Sequence, residues 1–428
     1  IDTITMHQRR AADPAVSAFV AASAGSGKTT VLTDRVLRLL LNDTPPERLL
    51  CLTFTKTAAA EMANRITKTL RAWAVMPADK LAKTLENLTG QVPNDTVKRT
   101  AKHLFTRTLE TPGGLKIMTI HGFCQSVLKR FPLEAGVSPN FDILDETAAA
   151  VFLNKAIAQT LADPALKPAV ETLAAYVSAE KLPALLQQTL ETDLPDDFTM
   201  WEAAINAYFD LTGWDEDRLI TACGATKETF DTLKKTYLTD KETIRRKLTD
   251  QQAETADLVY TAVQKIKAIR LKEASSALFS VAKGIRAAYA QLKHRESVLD
   301  YDDLIAKTRA LLEQNAMAAW VLFKLDGGLD HILVDEAQDT NTQQWSVIKT
   351  LADEFFAGLQ DTPHPRTIFV VGDKKQSIYG FQGADPAEFE RMHRFFSDRV
   401  TAARQRFETI PLNASFRSTN AVLALVNQ

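Results

Sequence analysis

Cysteine is scarce in this chain: Cys51, Cys124 and Cys223 are the only three in 428 residues. An odd number with no short metal-ligand spacing suits neither a disulfide framework nor a zinc site, so these thiols read as reduced and mostly core. No uninterrupted apolar run approaches the roughly 18–20 residues that cross a bilayer. The opening Ile1-Asp-Thr-Ile-Thr-Met lacks the basic and apolar stretches of a secretory signal. A cytoplasmic protein with no membrane partner is therefore expected, and the missing initiator Met suggests that residues precede Ile1. Net charge of one sign is also nearly absent, at −2. Such balance excludes a wholly basic surface and confines any nucleic-acid site to a local groove. His7, His103, His294, His331, His364 and His393 show no pairing that suggests a metal. Repeats and low-complexity tracts are lacking.

What the chain does have is 45% hydrophobic and 24% charged residues, the composition of a soluble globular protein. Its length predicts two or three domains. Apolar runs at Val16–Ala22, Leu49–Thr53 and Lys116–His121 read as strands, with helical periodicity at Thr29–Leu41 and Ala58–Trp73 between them. Alternation of this kind predicts an α/β domain with a parallel sheet. A helical stretch at about 75–115 is longer than an ordinary connection and reads as an accessory insertion. From Phe131 to Leu299 strand signals nearly vanish, which predicts a large helical subdomain inserted into the α/β domain. Strand character resumes at His331–Val334, Thr367–Gly372 and Thr409–Leu412. The expected boundaries are 1–131 and 300–410 for the two parts of the α/β domain, 132–299 for the insertion, and 411–428 for the start of a further domain that the chain cuts short.

Two of the strands end in chemistry. After the first comes A22-S-A-G-S-G-K-T-T30: Ala22, Ser23, Ala24, Gly25, Ser26, Gly27, Lys28, Thr29 and Thr30. Gly25 and Gly27 let the backbone turn its N–H groups inward, and the helix that follows adds the positive end of its dipole. Lys28 would reach the β- and γ-phosphates of a nucleotide, and the Thr29 hydroxyl would ligate Mg2+. After His331–Val334 comes D335-E-A-Q-D339, in which Asp335 would hold magnesium and Glu336 would accept a proton from the attacking water. Taken alone, the first could be a glycine-containing turn without a ligand and the second an acidic helix cap. A third element, G372-D-K-K-Q-S-I-Y-G-F-Q-G-A384, offers Gln376 as a γ-phosphate sensor and Tyr379 and Phe381 as faces for stacking bases. An apolar plug under a glycine-rich loop is its plainer reading. K241-E-T-I-R-R-K247 and K265-I-K-A-I-R-L-K272 are basic stretches on predicted helices, either solvated faces or an arm that contacts duplex DNA.

In order and wording these segments resemble the motifs of superfamily-one DNA helicases, the UvrD/Rep/PcrA and RecB/AddA group. Besides the three above, L52-T-F-T-K-T-A-A-A-E-M-A-N-R65, T119-I-H-G-F-C124 and L412-N-A-S-F-R-S418 match family motifs, and Gln8 stands where the family's adenine-reading glutamine lies. The family's phosphate loop often carries Ala at the place of Ala22. The resemblance implies a RecA-like P-loop NTPase domain that binds ATP and Mg2+. It also implies that Arg417 donates to the γ-phosphate, that Phe416 lies against adenine where many relatives have Tyr, and that Phe54, Thr55, His121, Tyr379 and Phe381 touch single-stranded DNA. Thr30 replaces a frequent Arg, and Phe381 a frequent Trp.

Within the group, A21-A-S-A-G-S-G-K-T-T-V-L-T-D-R-V36, the run Ile120–Pro132 and the insertion at about 75–115 most resemble the AddA type of double-strand-break repair helicase. That resemblance implies an AddB-type partner, single-stranded and duplex DNA ends as substrates, movement 3′ to 5′, and a nuclease domain that is not in this chain. The family's last motifs, including a second arginine at the cleft, would lie beyond Gln428. An arginine finger contributes about 10³–10⁵ in phosphoryl transfer. These 428 residues alone are therefore expected to bind ATP and DNA weakly, hydrolyse slowly and not unwind. Three other readings stand beside this one. A UvrD/PcrA-type repair helicase would work outside an AddAB complex, and a non-motor nucleotide-binding subunit would be expected to have lost Glu336. A P-loop switch or small-molecule kinase would lack the D-E-A-Q-D and Q-S-I-Y elements.

Overall fold

A computed structural model describes residues 2–23, 25–190, 192, 194–195, 197–313, 320–321, 324, 328–357, 365–373, 376 and 386–412. The chain divides into two units, Ile1–Ile143 with Leu299–Gln428, and Leu144–Val298. The α/β class with a parallel sheet and a large helical insertion is what the structure has.

In the first unit, six parallel strands form one sheet: β1 (Ser17–Ala22), β2 (Leu49–Thr53), β3 (Lys116–Thr119), β4 (His331–Val334), β5 (Thr367–Gly372) and β6 (Phe407–Leu412). Their order across the sheet is β3-β2-β4-β5-β1-β6. The central strands are largely apolar because both faces are covered. Alternate residues serve opposite cores. Leu50, Leu52, Ile332, Val334, Ile368 and Val370 pack on one side with Ile120, Phe123, Trp345 and Phe396. Leu49, Cys51, Leu333, Phe369 and Val371 pack on the other with Val31, Leu32, Val36, Ile66 and Trp73.

Helix α1 (Asp2–Ala11) precedes β1, and α2 (Lys28–Leu41) follows it. After β2 come α3 (Lys56–Val75), α4 (Ala78–Thr89) and α5 (Asp95–Glu110). The stretch at about 75–115 is thus two helices, whose Leu81, Leu85, Ala101 and Leu104 belong to the same core as Trp73. Strand β3 stops at Thr119 rather than His121. The Thr119 side chain accepts from the Gly122 N–H and caps α6 (Ile120–Arg130), so Ile120 and His121 are helical. The connection between units falls after Ile143, beyond the expected 131. Pro411 and Leu412, expected to open a further domain, instead pair in register with Ala21 and Ala22 of β1.

The second unit is helical: Glu146–Leu161, Lys167–Tyr176, Leu182–Leu190, Thr199–Tyr208, Glu216–Ala222, Lys227–Tyr237 and Asp250–Arg295. The last begins at a capping box between Thr249 and Gln252. Its Val259, Val263, Ile266 and Ile269 serve one small core, and Ala277, Val281, Ile285 and Leu292 another. The segment K241–K247, expected on a helix, lies outside helices; Ile244 forms an isolated bridge with Leu238. Among the described residues no helix is long and apolar enough to cross a membrane.

Candidate active site

Parallel strands bring their carboxyl ends to one edge, where open α/β sheets bind ligands. Ala21 pairs with Gly372 across β1 and β5, and Val334 with Val370 across β4 and β5. The residues after β1, β4 and β5 therefore share that edge although the sequence separates them by about three hundred positions. Lys28 Nζ donates to Glu336 Oε2 at 2.8 Å.

The loop after β1 turns on two glycines with positive φ, Gly25 at 71° and Gly27 at 87°, a region that side chains disfavour. Gly27 is the N-cap of α2, so the helix's unpaired N–H groups open onto the loop. Ser26 is buried, and its Oγ has no hydrogen-bond partner among the described protein groups. A buried hydroxyl, N–H groups at a helix start and a lysine together fit a bound phosphate chain. Gln8, on α1, donates from Nε2 to the Ser26 carbonyl at 3.3 Å, which places it beside this loop.

At the end of β4, Asp335 is buried. Burial, and then the Glu336 charge, raise its pKa to about 6, while the Glu336 N–H and Lys28 oppose the rise. It is therefore mostly ionised at neutral pH. With the Thr29 hydroxyl it offers hard oxygen donors, the set that suits Mg2+, which ordinarily takes one or two carboxylates together with substrate phosphates. Glu336 has φ 47° and ψ 43°, a left-handed conformation that strains a side-chain-bearing residue. Its N–H donates to Asp335 Oδ1 at 3.0 Å, and its carboxylate is held by Lys28 and by Gln338 Nε2 at 2.7 Å. Strain stabilised by several contacts is common where a group must be aimed. Gln376 donates from Nε2 to Asp373 Oδ2 at 2.6 Å.

Of the expected DNA contacts, Phe54 and Thr55 follow β2 and His121 follows β3. Thr55 is exposed and caps α3, accepting from the Ala58 N–H at 3.0 Å; Phe54 beside it is half-buried. His121 opens α6 with its ring 5.0 Å from that of Tyr301, edge to face, and burial lowers its pKa, so it is neutral at pH 7. Asp300 and Asp303 cap each other's backbone N–H groups, which accounts for them structurally. Ala24, Tyr379, Phe381, Phe416 and Arg417 lie outside the described residues. Sequence reasoning gave no role to Gln338 or Asp373, which join the acid motif to Gln376, nor to Arg35, which anchors the end of α1. For Gln338 a signal existed, an amide set among the acids of D-E-A-Q-D.

Residues 4–397 match the family described as UvrD/REP helicase N-terminal domain. The chain belongs to this family. Among curated proteins, the A subunit of the ATP-dependent helicase/nuclease from Lactobacillus helveticus is 25% identical, over 96% of this chain and 38% of that protein. The protein of the same name from Lactobacillus acidophilus is 26% identical, over 96% and 38%. That from Latilactobacillus sakei is 26% identical, over 94% of this chain and 51% of its own length. The chain thus spans about half or less of the relatives it matches.

Proposed function

We propose that this chain is the ATP-binding part of an ATP-dependent DNA helicase or translocase of double-strand-break repair, moving 3′ to 5′ along one DNA strand. The observation that carries the reading is the meeting of Lys28 and Glu336 at 2.8 Å across the carboxyl edge of the sheet. A phosphate-loop lysine and an acid beside a buried aspartate are what nucleoside triphosphate hydrolysis requires. The family membership and the names of the relatives support a helicase.

In this reading Gln8 reads the adenine and the loop Ala22–Thr30 holds the phosphates. Thr29 and Asp335 hold Mg2+, which when bound offsets charge on the phosphates. Lys28 moves from Glu336 to the β- and γ-phosphates. The freed Glu336 carboxylate then takes a proton from the attacking water, and Gln376 and Arg417 sense the γ-phosphate. Phe416 supports the adenine ring. Phe54, Thr55, His121, Tyr379 and Phe381 form the single-stranded DNA path. The first RecA-like domain comprises residues 1–143 and 299–412, with 144–298 as its insertion, and the second begins after the sixth strand. The relatives carry a name that makes each of them one subunit of a larger enzyme, which supports an AddB-type partner, and DNA ends in the bacterial cytoplasm are the proposed substrate.

The test is ATP hydrolysis by the complete protein carrying these residues, with and without single-stranded DNA. Glu336→Gln is expected to lower turnover by about 10²–10⁴ while nucleotide binding is kept. Unchanged turnover in that variant, or no stimulation of the parent by DNA, overturns the reading.

A further inference from the structure

Gln338 is 2% exposed and lies between two parts of the site that come from different strands. Its Nε2 donates to Glu336 Oε2 at 2.7 Å and to Asp339 Oδ2 at 3.0 Å. Its Oε1 accepts from the Asp373 backbone N–H at 2.8 Å. These partners fix the amide's orientation. A flipped carboxamide would set its oxygen against two carboxylates and its NH2 against another N–H. Asp373 in turn binds Gln376 twice: its carbonyl accepts from the Gln376 N–H at 2.9 Å, and Oδ2 accepts from Nε2 at 2.6 Å. A continuous hydrogen-bonded path therefore runs Lys28, Glu336, Gln338, Asp373, Gln376.

The approach that permits this path is unusually close. A Cβ added at Gly372 would lie 2.7 Å from Gln338 Oε1 and 2.8 Å from Phe389 Cε2. The end of β5 can thus meet the Gln338 amide only because residue 372 has no side chain. Glu336 itself is in a left-handed conformation that local backbone preference does not favour, so its aim depends on what holds its carboxylate. Of the two groups that hold it, Lys28 is the one the proposed reaction takes away. Gln338 then remains.

We propose that Gln338 is a positioning residue that ties the aim of Glu336 to Asp373 and Gln376 at the end of β5, and that hydrolysis depends on this tie. The proposal rests on the ATPase reading above. It does not make Gln338 a group that touches the substrate. Gln338 acts by transmitting the position of Asp373 and Gln376 to the carboxylate that faces the attacking water.

The experiment measures steady-state hydrolysis and equilibrium nucleotide binding for the complete protein carrying these residues. Gln338→Met keeps the length and apolar volume of the side chain and removes both kinds of hydrogen bond. Gly372→Ala displaces the amide while leaving Gln338 in place, and it serves should the first variant not fold. Each is expected to lower kcat by about 10²-fold, the scale on which a 1 Å misplacement acts. Nucleotide affinity should change by less than about threefold, the pattern of an interaction used in the transition state. Because both variants break one link, the double variant should be no slower than the slower single one. Parallel losses of kcat and affinity, losses that multiply in the double variant, or an unchanged kcat in either single variant overturn the proposal. Glu336→Gln, assayed alongside, separates the two claims. Activity in that variant means that the ATPase reading has failed. An inactive Glu336→Gln beside a fully active Gln338→Met means that the positioning role alone has failed.

Discussion

The two units differ in how much charge they bury. In the α/β unit, Arg35, Asp335, Asp339 and Asp373 are buried, and the side chain of each takes part in at least one hydrogen bond. In the helical unit the ion pairs named next lie on the surface, although Lys293 is buried. Lys227 pairs with Asp217, Arg270 with Glu216 and Lys265 with Asp210, and in each pair at least one side chain is about half exposed or more. Lys267 pairs with Glu242, and Lys272 donates to Asn206. Desolvation is what separates the two cases. A charge removed from water acts strongly on its neighbours and is costly to leave without partners, whereas a solvated pair is screened and contributes little. The basic stretch Lys265–Lys272, which could have been an arm for duplex DNA, thus has acidic and amide partners of its own.

Arg35 provides the sharpest test of this contrast. Nη1 donates to the carbonyls of Ala11 and Asp13, and Nη2 to the Val16 carbonyl and Thr367 Oγ1. The guanidinium also lies 5.1 Å from the Phe369 ring centroid. Burial lowers its pKa to about 9, so it remains charged at neutral pH. Arg35→Met leaves three backbone carbonyls without this donor, and losing one partner of a buried charged network typically costs about 3–5 kcal/mol. The expected result is a large fall in the urea midpoint. Nucleotide binding should weaken as well, because one of the carbonyls that Arg35 holds, that of Ala11, ends the helix bearing Gln8. A loss below about 1 kcal/mol would break the contrast, since a buried arginine would then behave like an exposed one.

Asp34, one residue earlier, tests the same idea through pH. Burial raises its pKa to about 6, against the opposing pull of Arg38 and Arg65. A carboxyl whose folded pKa lies above its unfolded value of 3.8 binds more protons in the folded state across the interval between them. Stability should therefore fall as pH rises from about 4 to about 6, and the penalty persists at pH 7. Asp34→Asn should recover about 1–3 kcal/mol at pH 7 and almost nothing near pH 4. Urea midpoints at the two pH values check this. An equal gain at both would show that charge is not the cause.

How much of this was legible beforehand follows from the same physics. The bounds of β2, β4 and β5 were readable because strands buried on both faces are largely apolar runs, and because the chemistry begins where each run stops. The pairing of Lys28 with Glu336 was readable only through the rule that parallel strands share a carboxyl edge. Helix α1 was missed because it is short and largely polar. What secures it is Arg35, whose burial no periodicity reveals; on pattern alone, an arginine in a helix looks solvated. The overlong third strand has a similar cause. Lys116–His121 carries strand-like residues, and the hydrogen bond from the Gly122 N–H to Thr119 ends the strand two residues early. The helical reading of Lys241–Lys247 failed because its spacing resembles that of a solvated helix, whereas the chain is pulled aside by the bridge between Leu238 and Ile244.

The smallest effect is expected from the exposed counterpart of Arg35. Arg270 makes two hydrogen bonds with Glu216, a forked geometry that on paper rivals any pair in the buried site. Its side chain is nevertheless 52% exposed and that of Glu216 33%. Water and salt then compete for both ions, and holding two long side chains in one arrangement costs entropy. Arg270→Ala should lower stability by less than about 1 kcal/mol. Raising ionic strength from about 0.01 to 0.15 M, which shortens the screening length from about 30 to 8 Å, should shrink that difference further. The same salt change should leave the larger loss in Arg35→Met almost untouched, because ions cannot enter a fully buried site. Denaturation curves for both variants at the two salt concentrations are therefore the most direct comparison. Equal salt sensitivity in the two would mean that burial is not what distinguishes the charges of the two units.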